Sequence, residues 1–107
     1  MTLGLMPTPI KKPDDLKPGD FYEDCSYHPC LCVNVDYSDG DIEICGVSLI
    51  DGSYPRSCGV PGCAVVKLTL EEALQWRFFG APDFPGGELP PYVALTGTPP
   101  AWIKPPA

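Results

Sequence analysis

Six cysteines and a single histidine carry most of the chemistry available to this 107-residue chain. Cys25 and Cys30 are separated by four residues, and so are Cys58 and Cys63. Each pair flanks a stretch able to turn tightly, Ser26 to Pro29 in one case and Gly59 to Gly62 in the other. Such a turn can aim two thiolates at one point, and four thiolates in a tetrahedron suit Zn²⁺. Ligation would add folding free energy to a domain too small to bury much surface. The expected metal ligands are therefore Cys25, Cys30, Cys58 and Cys63. Other readings stay open. The spacing is not that of the usual zinc knuckle, Cys32 and His28 are competing donors, and Cys45 is left over. Free cysteine also packs readily as a small hydrophobe, and disulfides would require an oxidising compartment or a redox switch.

His28 beside Cys25 or Cys30 could form the thiolate–imidazolium pair of a thiol-dependent enzyme or redox switch. Such a pair needs alignment by a third group, and a loop histidine before proline also serves as a turn or packing residue, so no catalytic residue is assigned. Tyr22, Tyr27, His28 and Tyr54 are the candidate binding residues, because neighbouring strands can gather aromatic side chains into a groove. Cross-strand packing accounts for them nearly as well. Asp36, Asp39 and Asp41 resemble a calcium loop only superficially, since Gly40 falls where an oxygen ligand is required. Pro82 to Pro85 meets the minimal PxxP pattern, a weak signal in a chain with 15 prolines.

The elements that must position these residues are mostly short strands. Lys17-Pro18-Gly19-Asp20 reads as a turn into a strand at Phe21 to Glu23. Cys30 to Asp36 alternates, with Leu31, Val33 and Val35 on one face and Cys30, Cys32 and Asn34 on the other. Asp39-Gly40 suits a hairpin turn. From Asp41 to Ile50 the alternation slips at Gly46, a candidate β-bulge. Short strands follow at Tyr54 to Ser57 and Ala64 to Leu68, with Cys58 to Cys63 as a loop between them. Thr69 and Glu72 form a capping box for a helix ending at Gly80, whose expected core face is Leu70, Ala73, Leu74 and Phe78. Residues 1–15 read as an extended arm, 16–80 as the folded body and 81–107 as a proline-rich irregular tail, with Tyr92 to Leu95 as one edge strand.

Five short, bent strands followed by a helix are similar to an SH3-like small barrel, and Lys17 to Asp20 with Val47 to Gly52 carry that likeness. The block from Leu16 to Leu74 also resembles short uncharacterised bacterial proteins with a DCSYHPCLCV stretch (Asp24 to Val33) and a SLIDGSYPRSC stretch (Ser48 to Cys58). The fold expected is mainly β, a five-stranded SH3-like barrel with one short helix. Barrels of this kind host many functions; what the barrel likeness implies is a binding role, and the function expected is a non-enzymatic binding or interaction module.

Composition limits the partners. A net charge of −7 disfavours nucleic acid, which needs clustered cations, and disfavours an anionic membrane surface. A protein or peptide partner fits better, with the apolar tail as a route to oligomers. An acidic inhibitor that mimics nucleic acid is a further expectation. No apolar run approaches a membrane span. Lysines follow the N-terminal apolar stretch, whereas a secretory signal has them before it. The expected location is the cytoplasm, where thiols stay reduced.

Overall fold

A computed structural model describes residues 8–105; residues 1–7 of the expected N-terminal arm lie outside them. The strands are β1 (Thr8–Pro9), β2 (Phe21–Glu23), β3 (Pro29–Ser38), β4 (Asp41–Ser48), β5 (Cys58–Val60) and β6 (Val66–Leu68), and the helix is α1 (Leu70–Phe79). The protein is mainly β. Every strand pairing is antiparallel, and the sheet runs β1-β6-β2-β3-β4-β5. In place of five strands closed into a barrel, the described residues form an open sheet of six, with β1 and β5 at its edges.

The differences from expectation follow from proline chemistry and side-chain volume. Tyr54 to Ser57 forms no strand: Pro55 has no N–H to give a ladder, and Arg56 uses its own N–H on the carbonyl of Gly46, at 2.8 Å. Cys58 to Val60, expected as a loop, is instead β5, with Cys58 opposite Ile44 on β4. Pro9 fits β1 because an edge position demands no donor. Tyr92 to Leu95 is not an edge strand but part of a 3-10 turn, Pro91–Leu95; Pro91, at its first position, is pre-set for a helical start.

The bulge sits beside Gly46, but the extra residue is Val33 on β3, between the pairs Cys32↔Gly46 and Asn34↔Cys45. β4 therefore keeps its alternation, burying Ile42, Ile44, Gly46 and Ser48. Gly46 is required there because a Cβ would collide with the Leu31 carbonyl and lie 2.7 Å from Tyr22 Oη. On β3 the buried face is Cys30 and Cys32, with Val33 exposed. The cysteines, not Leu31 and Val33, supply this part of the interior. They pack with Leu16, Tyr22, Ile42, Ile44, Cys58 and Val60.

The opposite face of the sheet is covered by α1. Thr69 Oγ1 accepts from the Glu72 N–H at 3.1 Å, and the Thr69 N–H donates to Glu72 Oε1 at 2.8 Å, so the expected capping box is formed. The buried stripe is Glu72, Ala73, Gln75 and Trp76, while Leu70 is 57% exposed. Trp76, the largest side chain available to that face, sets the helix rotation. It packs with Leu68, Ala73 and Ala81, against Phe21 and Val66. Its indole N–H donates to Glu23 Oε2 at 3.1 Å.

The proline-rich tail returns to the body. Tyr92 is buried, and its hydroxyl donates to the Tyr27 carbonyl at 2.9 Å. Phe84 stacks edge-on against Tyr27 with ring centres 5.2 Å apart. No helix among the described residues is long and apolar enough to cross a membrane.

Candidate metal centre

The centre is organised by Asp24, the residue that follows β2. Its Oδ1 accepts the N–H groups of Ser26 and His28 at 2.9 and 3.0 Å, the side-chain-to-backbone pattern by which aspartate shapes a turn. The Asp24 N–H donates to the His28 carbonyl at 3.1 Å. This closes the β2–β3 loop and fixes Cys25 at its rim. Asp24 Oδ2 accepts from Arg56 Nε at 2.8 Å. Tyr22 Oη donates to the Arg56 carbonyl at 2.6 Å. Side chain and backbone of Arg56 are thus tied to β2, and two residues later the chain delivers Cys58 beside Cys25.

Cys58 lies at the start of β5 and is 3% exposed. The Cys25 N–H points at its sulfur, 3.4 Å away. After β5 the chain turns back, and the Cys63 N–H donates to the Gly59 carbonyl at 2.6 Å. As a result the sulfurs of Cys25, Cys58 and Cys63 all lie within 4.8 Å of one another. Cys25 is exposed, Cys63 half-buried and Cys58 buried. All six cysteines are free thiols. Burial pushes the Cys58 thiol up to about 12, with the neighbouring Cys25 and Cys63 adding to the effect and the Cys25 N–H opposing it. A cation would reverse that preference, because a coordinated thiol is held as thiolate.

The three thiols fit a metal ion by donor type and reach. Zinc–sulfur bonds of about 2.3 Å in a tetrahedron set the sulfurs about 3.8 Å apart, so these need to draw in only slightly. Cys30 is not in the group. It is buried in the core, its sulfur donates to the His28 carbonyl at 3.4 Å, and burial raises its pKa strongly. Cys32 likewise serves the core, where burial pushes it up to about 11.

The expected aromatic groove is distributed differently. Tyr22 is 0% exposed and belongs to the interior. Tyr27 and His28 are half-buried beneath the tail, the His28 ring lying 5.1 Å from that of Tyr92. His28 Nδ1 and Ser48 Oγ share a hydrogen bond of 2.9 Å. Burial, aided by the Arg56 cation, lowers the imidazole below its usual range. Cys30 thus meets the backbone of His28, not its ring. Tyr54 is 60% exposed and lies close enough to Cys45 for a side-chain hydrogen bond, which raises its pKa.

Sequence reasoning missed Asp24 and Arg56, the pair that aligns the two cysteine loops. The signal available was Asp24 immediately before a Cys-Ser turn; nothing local pointed to Arg56, 32 residues away. No protein-family model, no curated protein and no solved structure matches the chain.

Proposed function

We propose that the chain is a non-enzymatic binding module whose two cysteine loops are clamped by a zinc ion at Cys25, Cys58 and Cys63. The observation that carries this reading is the convergence of three thiols from two distant loops within 4.8 Å. Buried cysteines that only fill space need not gather at a half-open rim. Zinc there would hold the β2–β3 loop against β5 and convert ligation energy into folding energy.

The sheet supports kinship with SH3-like barrels. Without the two-residue β1, its strands run fifth, first, second, third, fourth across the sheet, the order such a barrel would show if opened along one seam. A protein or peptide partner suits the acidic surface and the exposed Tyr37 and Tyr54. The burial of Cys30 and the commitment of the His28 ring to Ser48 and Tyr92 favour binding over thiol catalysis.

Elemental analysis of untagged protein, purified without chelator, tests the clamp. One zinc per chain, lost on Cys58→Ser substitution, is the expected result. Metal-free wild-type protein that also fails to take up added zinc would overturn it.

A further inference from the structure

Beyond Gly80 the chain is attached to the body in a different way from any strand. Among the described residues, the backbone–backbone hydrogen bonds of this segment close only local turns: Phe84 to Ala81, Val93 to Pro90, Thr96 to Val93 and Ile103 to Pro100. No strand of the sheet comes from it. Side chains make the attachment instead. Tyr92 is 5% exposed, donates its hydroxyl to the Tyr27 carbonyl and sets its ring edge-on to His28. A Cβ built on Gly80 would lie 2.6 Å from Pro90 Cδ and 3.2 Å from Val93 Cγ2, so glycine at the end of α1 lets this segment press close. Pro90, at φ −58° and ψ 145°, is in the polyproline II conformation, which proline holds at little ordering cost. A buried aromatic anchor, a pre-set proline approach and no ladder are how a peptide sits on a receptor.

The fit has one electrostatic fault. Asp83 sets its carboxyl against that of buried Glu23, two acids that must share a proton to stay together. The seat itself is acidic: burial, opposed by the Ala81 N–H, and then the charges of Glu23, Asp83 and Asp24 raise the Tyr92 phenol above its usual range. A cation in place of Asp83 would replace repulsion by attraction.

We propose that the seat made by Tyr27, His28 and Gly80 is a peptide-binding site, occupied in cis by the chain's own Pro90-Pro91-Tyr92. Its ligand in trans is a partner segment with two prolines before a tyrosine and a basic residue where this chain has Asp83. This rests on the binding-module reading above, and not on its metal. The tethered segment acts at an effective concentration in the millimolar range, so it keeps weak ligands out. The Asp83 fault leaves room for a basic partner to win.

The probes are two synthetic peptides of residues 81–96, one with the native sequence and one carrying Asp83→Lys. Titrated into the ¹⁵N-labelled full chain, the peptides should shift the His28 and Gly80 amide signals saturably. The Val93 and Thr96 signals should move toward unstructured positions as the cis segment leaves. The Asp83→Lys peptide should bind at least about threefold more tightly than the native one. Full chain carrying Tyr92→Ala, or the milder Phe84→Ala where Tyr92→Ala does not fold, should bind both peptides at least about tenfold more tightly than wild type. Val93 and Thr96 signals that stay in place at about 10 mM of the Asp83→Lys peptide would overturn the inference. So would equal affinity for the two peptides, or a folded variant that binds no more tightly than wild type. One zinc per chain together with any of these results overturns this inference alone, because the clamp is decided by its own metal analysis.

Discussion

Replacing Glu23 by glutamine should remove a loss of stability that the wild-type protein suffers between mildly acidic and slightly alkaline pH. Glu23 is 5% exposed. Its Oε2 accepts the Trp76 indole hydrogen bond on one side. Burial is the largest influence on the carboxyl, and a hydrogen bond with the Asp83 carboxyl comes next; the two raise it from 4.5 to about 8, with Asp24 adding repulsion and the Trp76 N–H opposing. Because the folded-state value is raised, the contribution to stability is fully present below about 4.5. It is lost as pH rises through about 8, since the folded protein must then hold a buried anion or take up a proton. At face value the shift corresponds to roughly 5 kcal/mol; Asp83 is solvent-exposed, and screening reduces this to about 2–3 kcal/mol. Urea unfolding at pH 5 and pH 8 reads the effect. Wild type should be less stable at pH 8 by that amount, while Glu23→Gln, which keeps an acceptor for Trp76, should differ little between the two. Parallel pH profiles for the two proteins would refute the reasoning.

Other outcomes follow from the same geometry. Cys58→Ser should abolish binding of zinc, whereas Cys30→Ser should keep one ion per chain and lower stability by about 1–2 kcal/mol through an altered buried group; competition against a colorimetric chelator separates them. Gly46→Ala should destabilise by about 3 kcal/mol or more, because backbone and the Tyr22 ring block its Cβ. Gly59→Ala, with open space around it, should stay within about 0.5 kcal/mol; both are read from urea midpoints. Arg56→Ala leaves the nearly buried Asp24 carboxylate unpaired and should cost about 2–4 kcal/mol. It should also weaken zinc affinity by loosening the register of Cys25 and Cys58, and unchanged affinity would refute the alignment role given to this pair.

Several features were settled by local sequence. The capping box at Thr69 and Glu72 forms as expected because its hydrogen bonds span only three residues and need no tertiary partner. The Asp39-Gly40 turn is equally local, with both residues at positive φ and the flanking strands paired from Ser38↔Asp41 onward. The two cysteine loops carry a local signature as well, thiols beside tight turns, but that signature includes Cys30, which the fold buries away from the other three.

Tertiary packing decided which residues use those elements. Alternation put Leu31, Val33 and Val35 on one face of the strand and Cys30, Cys32 and Asn34 on the other, without saying which face is inside. The volume of Tyr22 over Gly46 and the extra residue at Val33 selected the one that carries Cys30 and Cys32. That choice placed Cys30 in the core and left Cys25, Cys58 and Cys63 as the three thiols that meet. Helix rotation was decided in the same way, by Trp76 finding Glu23 across 53 residues of chain. Hydrogen-bonding propensity acts between neighbours in sequence, and so the sequence alone determines turns and caps. The facing of a strand and the company of a thiol depend on volume and charge brought from distant segments, which only the folded chain brings together.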